Sequence, residues 1–470
     1  MSLLFPEEIE RIHLVSLRML EKIGIQMRSE SVGEMLLSAG AVKSENGNRI
    51  LIPESMVKSA LASVPKSILL ASTDGKNDMT IPSKRLYAST GGEGVYLKNL
   101  VNGEVRATTL NDIKNVARIV EHFPQIDFFW GLVGALDVPD EYKGIMETVA
   151  GLQYTHKHQQ GGALSAEEAQ QQLELASIVA GGEKNLRKRP IISAVQCPLS
   201  PLIFEKGLTE AQVTFARAGI PVVAMVANLA GLTSPVTLSG TIAQTNAENL
   251  ASLVITQVVA KGAPWIYSSD SVPANLRTGS IDYGAFEAQL MRTGAGEMGS
   301  SYGLPVMCAG VGIEGTSLSL GSIQEGVPHM VNQALVPSDL GSGFGGIDEA
   351  AGASFEQLVV DAWIWDIAKE IIREFETDDA AIAFDTIREA SADMSFLSKK
   401  HTMARFRKEF LATAKPQAVL TGREDFGERG AVLRDAQKEV VNILGKEPVQ
   451  AVPKDVAREM DEYIEDMKSK

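Results

Sequence analysis

Cysteine is scarce in this sequence, which has only Cys197 and Cys308 among 470 residues. Two thiols cannot form the disulfide framework of a small secreted domain, and so few cysteines are typical of a reducing compartment. Neither cysteine has a partner at C-x-x-C or H-x-C spacing. Two core thiols are therefore favoured, and a zinc or nucleophile site is the alternative.

Long apolar runs and a basic, hydrophobic leader are also absent from the sequence. The most apolar stretch, residues 220–231, is about a dozen residues long, whereas a membrane-crossing helix needs about 20. The N-terminal MSLLFPEEIERIHLVSL lacks the basic region and long apolar core of a signal peptide. We therefore expect a cytoplasmic protein.

Basic residues are fewer than acidic ones: the sequence has 44 Lys and Arg and 59 Asp and Glu, which gives a net charge of −15. A field of that sign repels phosphate backbones, which argues against nucleic acid as a partner and weakly favours a cationic small molecule. Hydrophobic residues make up 44% and charged residues 22%, which is ordinary for a globular enzyme and argues against disorder over the whole chain.

From about residue 86 the sequence alternates short apolar runs with longer amphipathic segments. Continuous apolar runs are typical of parallel strands buried on both faces. Eight such β-α units favour an α/β fold with a closed (β/α)₈ TIM barrel, although periodicity alone leaves an open, doubly wound sheet possible. We place an N-terminal helical cap at 1–85, the barrel core at 86–350, and C-terminal helices that complete and decorate the barrel at 351–470. The eight candidate strands lie near 87–97, 127–137, 158–164, 189–199, 220–230, 263–270, 304–313 and 334–342.

Two motifs carry only weak functional signals. Gly341, Gly343 and Gly346 satisfy G-x-G-x-x-G, but a dinucleotide site needs this motif in the first β-α turn, and here it lies on the last strand. Glycines there more plausibly let a ligand approach the backbone. His156 and His158 share one face of a possible strand, which indicates a polar strand end more than a metal site, since no supporting ligand spacing accompanies them.

Aromatic and acidic side chains form a richer pattern near the strand candidates. Aromatic faces with a carboxylate are how proteins bind quaternary ammonium groups, which have no N–H to donate. Trp265 and Tyr267 have the same parity on one strand, so both can face the barrel interior, although core packing is the alternative for any single aromatic. The candidates for a substrate pocket are Glu93, Tyr96, Trp265, Tyr267, Gln324 and Glu325.

Several long segments together resemble the trimethylamine methyltransferase family over nearly the whole chain. IHLVSLRMLEKIGI (12–25) is similar to the family's N-terminal helix, and STGGEGVYLKNLVNGEVRATTLNDIKNVARIVE (89–121) to its glycine-rich strand and following helix. FARAGIPVVAMVANLAGLTSPVTLSGTIAQTNAENLA (215–251) resembles its central block. GAPWIYSSDSVPANLRTGSIDYGAFEAQLM (262–291) and ASFEQLVVDA (353–362) complete the resemblance.

The resemblance implies a barrel enzyme that moves a methyl group from an amine to the Co(I) of a separate corrinoid protein. Founding members use pyrrolysine, which this chain lacks in the corresponding region, 310–326. The branch without pyrrolysine acts on quaternary amines such as glycine betaine, proline betaine or carnitine. The implied partners are a quaternary amine and a corrinoid protein that supplies the corrinoid, with no tightly bound cofactor or metal, in a homo-oligomer. A non-catalytic betaine-binding protein is the alternative.

Within this framework, Arg277 is the candidate cation for a substrate carboxylate, although a barrel-stabilising salt bridge is equally possible. Gly341, Gly343 and Gly346 would let the cobalt ring approach the backbone. Many relatives carry a histidine on the last strand, where this chain has SDLGSGFGG, so no role is transferred from that histidine. No catalytic residue is assigned.

Overall fold

The eight apolar runs form a closed ring of parallel strands in the computed structural model, which describes residues 3–312, 320–409 and 431–469. Strands β2 to β8 pair in chain order, β8 pairs with β1, and a bridge from Ser89 to Phe128 joins β1 to β2. This closure confirms the predicted TIM barrel and excludes the open doubly wound sheet. The strands are β1 (Tyr87–Thr90), β2 (Phe129–Trp130), β3 (Gln159–Gly161), β4 (Ile192–Gln196), β5 (Val222–Val226), β6 (Trp265–Ser269), β7 (Val306–Gly310) and β8 (Leu340–Phe344).

A helix follows each barrel strand and covers its outer face. Local signals set the helix ends: Thr109 and Asp112 form a capping box at one start, and Gly219, at φ 81°, ends another helix in the left-handed conformation. A short helix, Glu183–Lys188, follows α3. The eight helices are α1 (Leu110–His122), α2 (Asp140–Tyr154), α3 (Ala166–Ala180), α4 (Lys206–Ala218), α5 (Leu238–Val259), α6 (Phe286–Ser301), α7 (Leu320–Ala334) and α8 (Phe355–Ile371).

The segment before the barrel contains helices and short strands. Its helices are Pro6–Lys22, Glu30–Ser38 and Glu54–Ser63. A two-residue strand, Gln26–Met27, pairs with Ile203–Phe204, which follows β4. Two antiparallel hairpins join Val42–Lys43 to Ile50–Leu51 and Ile68–Leu70 to Met79–Ile81.

The second of these hairpins closes the N-terminal end of the barrel. The residues after its first strand form hydrogen bonds with backbone that precedes two barrel strands. Ala71 N donates to Pro190 O, before β4, and Thr73 N donates to His156 O, before β3. Its apolar side chains join the inward-facing residues of the barrel in one buried cluster, so the hairpin covers the N-terminal end. The cluster contains Ile68, Leu70, Met79, Ile81, Phe128, Val195, Val223, Ile266, Met307 and Leu340.

Short strands and terminal helices complete the described chain. One small sheet above the C-terminal end is formed by Tyr96–Lys98, Val105–Ala107, Gly346–Ile347 and Gly352–Ala353, and another by Leu229–Ala230 and Val272–Pro273. The helices after α8 are Asp379–Ile382, Phe384–Asp393, Lys400–Glu409, Ala431–Leu444 and Lys454–Ser469. None of the described helices has the length and apolar content needed to cross a membrane.

Candidate active site at the barrel mouth

The C-terminal ends of the strands lie opposite the hairpin, and active sites of TIM barrels lie at this end, called the barrel mouth below. Gly91 follows β1 here, and a Cβ on it would lie 2.9 Å from Ser342 Cβ and 3.0 Å from Trp130 Cε3. The side chains of Ser342 and Trp130 therefore pack directly against the backbone of Gly91, and a larger residue at this position would overlap them. Trp130, which packs against the inward-facing cluster, brings an aromatic side chain to this end of the barrel.

An acid, a phenol and a guanidinium come together just beyond β6. Asp270 follows this strand, and its Oδ2 accepts a hydrogen bond from Tyr283 Oη at 2.6 Å. Arg292, on α6, places Nη2 3.7 Å from Asp270 Oδ1, and its Cζ lies 5.6 Å from the centre of the Tyr283 ring. Burial raises the pKa of Asp270, while Arg292 and Tyr283 act in the opposite direction. The group thus combines a negative charge, a positive charge and an aromatic face.

Residues at the end of β7 also contact the guanidinium of Arg292. A Cβ on Gly310 would lie 2.6 Å from Arg292 Cζ, so the guanidinium packs directly against the backbone there. His329, on α7, donates from Nε2 to Gly310 O at 3.1 Å. Burial, with the positive charge of Arg292, lowers the pKa of His329 to about 4. This imidazole is therefore neutral near pH 7 and adds no second positive charge beside Arg292.

Carboxylates also gather under the loops that follow β2 and β3. Glu147, on α2, accepts from Ala135 N at 2.8 Å, and Glu168, on α3, accepts from Leu164 N at 2.8 Å. The pKa of Glu147 is raised to about 7, mainly by burial, with the charges of Glu93 and Glu168 acting in the same direction and the Ala135 hydrogen bond and Lys143 acting in the opposite direction. Negative charge at this rim favours a cationic ligand over an anionic one.

Cys197, just beyond β4, is a protonated thiol. Burial raises its pKa to about 12, and the charges of Asp270 and Glu93 act in the same direction. Cys308, on β7, lies in the layer between strands and helices, and burial raises its pKa as well. Neither sulfur is thus a thiolate nucleophile at neutral pH, which agrees with the preferred interpretation of both as core thiols.

The expected position of Trp265 and Tyr267 inside the barrel is wrong. Both side chains are fully buried in the outer layer, where Trp265 Nε1 donates to Ser252 Oγ at 3.3 Å and Tyr267 Oη to Asn246 Oδ1 at 3.3 Å, both on α5. Ile266 between them faces the interior. Because both faces of a strand in a parallel barrel are apolar, the sequence contained no signal for which parity points inward.

The other predicted site residues are distributed around the mouth. Glu93 is exposed in the loop after β1. Tyr96 lies in the small sheet above the barrel, where it donates to Asp348, and burial with this hydrogen bond raises its pKa to about 12. Arg277 is exposed in the loop after β6, and no described contact joins it to Asp270. Gln324 and Glu325 belong to α7, but their side chains lie outside the described part of the structure.

The three glycines of the predicted cobalt-approach loop pack mainly against the end of β7. Gly343 has φ 122°, and a Cβ on it would lie 3.0 Å from Gly312 N. A Cβ on Gly341 would lie 3.0 Å from Val311 Cγ1, and one on Gly346 would lie 3.4 Å from Gly343 O. A bulky residue at Gly343 would therefore strain the backbone itself. The role of these glycines toward a corrinoid remains a prediction.

Sequence reasoning missed Arg292, His329 and the pairing of Asp270 with Tyr283. Arg292 occurs in a helix of small and apolar residues, MRTGAGEMG, where a lone arginine is a signal that a buried charge has a specific partner. Asp270 and Tyr283 are separated by a loop of 12 residues, so nothing local indicated their contact.

A match to a family model over the whole chain shows the family to which this protein belongs. The model of the trimethylamine methyltransferase family matches residues 1–470. A trimethylamine methyltransferase of Desulfitobacterium hafniense is 27% identical over 465 residues, covering 98% of this chain and 92% of the relative. A glycine betaine methyltransferase of another D. hafniense strain is 26% identical over 417 residues, covering 87% and 85%. A crystal structure of the Methanosarcina barkeri monomethylamine methyltransferase is 12% identical and covers 93% of this chain and 92% of its own, with a TM-score of 0.47.

Proposed function

Since the chain belongs to the trimethylamine methyltransferase family, we propose that it transfers a methyl group from a quaternary, betaine-type amine to the Co(I) of a cognate corrinoid protein. The observation that carries this proposal is the family match over the whole chain. Relatives named for trimethylamine and for glycine betaine both align with it, so a methylated amine is the substrate class to test first.

The chemistry requires little covalent assistance from the protein. A quaternary nitrogen already carries its positive charge, so the C–N bond breaks with its electron pair going to nitrogen and a neutral tertiary amine leaves. Co(I), held by the partner protein, supplies the nucleophile that takes the methyl group. Because no proton is removed from the substrate, this chain needs no general base, and its task is to orient the N-methyl group and exclude water.

The groups at the mouth suit that task. Asp270 provides a negative charge, and the rings of Tyr283 and Trp130 offer aromatic surface to a desolvated ammonium, an interaction worth about 2 kcal/mol when well buried. The closed N-terminal end leaves the mouth as the entrance for the amine and as the face on which a corrinoid protein would dock. We also propose that the protein works as a homo-oligomer.

The test is a methyl-transfer assay with the purified full-length chain and a reduced corrinoid protein. Glycine betaine, proline betaine, carnitine and trimethylamine are supplied separately, and consumption of Co(I) is followed by its absorbance. We expect transfer with at least one betaine and a large loss with Asp270→Asn. Glu287→Gln, which removes an exposed carboxylate from the start of α6, is the matched control and should keep full activity.

Failure of every quaternary amine to consume Co(I) would refute the proposed reaction. Tight binding of a betaine without any transfer would favour the alternative, a non-catalytic betaine-binding protein. Transfer from trimethylamine alone would keep the family reaction and overturn the substrate class.

A further inference from the structure

Arg292 is a buried cation with few hydrogen-bond partners among the described residues. Its side chain is 3% exposed, although a guanidinium is seldom buried unless it is paired. Its Nε is buried and has no hydrogen-bond partner in the described part of the structure. The one carboxylate paired with it there, Asp270, lies 3.7 Å away, which is beyond hydrogen-bonding distance. Among the described residues, the planar fork of five N–H donors therefore has no carboxylate or carbonyl oxygen within 3.5 Å, and only Asp270 lies near it.

The position of this fork is fixed by its surroundings. The guanidinium packs on the backbone of Gly310 at the end of β7, where a Cβ would lie 2.7 Å from each of its two Nη atoms. His329, the neighbouring titratable group on α7, is neutral and donates to Gly310 O. The positive charge therefore lies at the C-terminal ends of β6 and β7, where Asp270 is the carboxylate that pairs with it among the described residues.

Asp270 is the more accessible partner of this pair. Its side chain is 30% exposed, and one of its oxygens accepts from Tyr283 Oη. A positive and a negative group thus lie 3.7 Å apart at the mouth, with the ring of Tyr283 beside them. In a betaine with one methylene between its charges, the nitrogen and the carboxyl carbon are about 2.5 Å apart, as two single bonds require. A zwitterion of this length is short enough to contact both protein groups at once.

We propose that Arg292 and Asp270 form a subsite for a zwitterion, and this inference rests on the proposed function. The fork of Arg292 takes the substrate carboxylate, while Asp270 and the Tyr283 ring face the quaternary ammonium. Each substrate charge then meets its opposite, and the unused N–H donors gain the bidentate acceptor that a carboxylate provides. Such a subsite discriminates glycine betaine from trimethylamine, which has no carboxylate. It replaces Arg277 as the carboxylate-binding residue.

Binding to the free protein tests the subsite separately from methyl transfer. Titration calorimetry on the wild-type chain compares glycine betaine with choline, which keeps the trimethylammonium group but lacks the carboxylate. We expect choline to bind about tenfold more weakly or worse, as loss of a hydrogen bond to a charged group implies. Equal affinity for the two ligands, or no measurable binding of glycine betaine, would overturn the subsite without any variant.

Substitution then assigns the effect to Arg292. Arg292→Gln should weaken glycine betaine binding about tenfold or more and change choline binding little, whereas Arg292→Lys should lose part of the preference because it keeps the charge without the fork. Arg458→Gln, at an exposed position on the last described helix, is the matched control. Equal losses for both ligands in a folded Arg292→Gln, or a selective loss in Arg277→Gln instead, would refute the assignment.

The two proposals fail in different ways. Binding that depends on Arg292 and on the carboxylate, without methyl transfer, refutes the reaction and keeps the subsite. Methyl transfer with no preference for a carboxylate refutes the subsite and keeps the reaction.

Discussion

His158 is a neutral histidine inside the barrel whose burial should make stability depend on pH. Its side chain is 0% exposed, Nδ1 lies 3.1 Å from Ala71 O, and Nε2 lies 2.9 Å from Ser193 Oγ. Because a carbonyl can only accept, Nδ1–H donates to Ala71 O, and Nε2 in the neutral ring accepts from the hydroxyl of Ser193. Protonation would place a positive charge in a fully buried site, where the cost of burial outweighs the favourable effects of the Ala71 and Pro190 carbonyls and of Asp78.

The magnitude follows from the shift in pKa. Burial lowers the pKa of His158 from the ordinary 6.5 to about 4. At 1.36 kcal/mol per pKa unit, this difference is worth about 3 kcal/mol of stability. The unfolded chain binds the proton at higher pH than the folded chain, so this stability is fully present above pH 6.5 and is lost as the pH falls toward about 4.

Replacing His158 with Gln removes this titration while keeping a polar side chain. At about pH 7.5 the substitution should lower the free energy of unfolding, because packing is altered. At about pH 4.5 the difference in the free energy of unfolding between wild type and variant should be smaller by about 2.5 kcal/mol, because the wild type has lost the contribution of neutral His158. Glu147 and Glu248 have pKa values raised to about 7, mainly by burial, so their contributions change in the opposite direction between pH 4.5 and 7. The effect of His158 must therefore be measured as the difference in the free energy of unfolding between variant and wild type at each pH, since the pH dependence of the wild type alone also includes the two glutamates.

Urea unfolding at both pH values, followed by circular dichroism and by tryptophan fluorescence, measures that difference where the two probes coincide. A gap of the same size at both pH values would refute the reasoning, since it would mean that His158 binds protons equally in the folded and unfolded chains.

Three further substitutions test the packing described above. Trp265→Leu should lower the free energy of unfolding by about 2–4 kcal/mol and leave betaine affinity unchanged. A selective loss of betaine affinity would indicate that Trp265 contacts the ligand after all. Lys157→Met should cost about 1–3 kcal/mol in urea unfolding, because Nζ donates to three backbone carbonyls around the end of α1, and an unchanged transition would show that water replaces it. Gly310→Ala should weaken glycine betaine binding by calorimetry, because its Cβ would displace the Arg292 guanidinium, and unaltered affinity would show that the guanidinium has no role there.

The sequence was sufficient to predict the barrel but not its interior. Eight apolar runs separated by amphipathic helices specify a parallel sheet, and the number of units favours closure. The hairpin formed by Ile68–Leu70 and Met79–Ile81 was not anticipated, because two three-residue strands in a segment expected to be helical give no periodic signal. These strands cover the N-terminal end of the barrel.

The candidate site was harder to predict because its members are distant in the sequence. The general rule that TIM-barrel sites lie at the C-terminal ends of the strands pointed to the barrel mouth, and Asp270 directly follows the strand that contains Trp265 and Tyr267. The charge that faces it, Arg292, comes from the interior of α6, and its pairing depends on how that helix packs against β7. Local pattern describes an element, whereas the partner of a buried charge is set by the tertiary fold.

The closed end of the barrel also constrains the order of events at the mouth. In the proposed reaction, the hairpin packed against the inward-facing residues of the strands would oblige the amine and the corrinoid protein to use the same end of the barrel. A docked partner would cover the route to Asp270 and Arg292, so we expect the amine to bind first and the demethylated amine to leave after the corrinoid protein. In steady-state kinetics, the demethylated amine should then inhibit competitively against the betaine and non-competitively against the corrinoid protein. Competitive inhibition against the corrinoid protein would instead indicate a second route into the barrel, and the hairpin would no longer be regarded as a closed base.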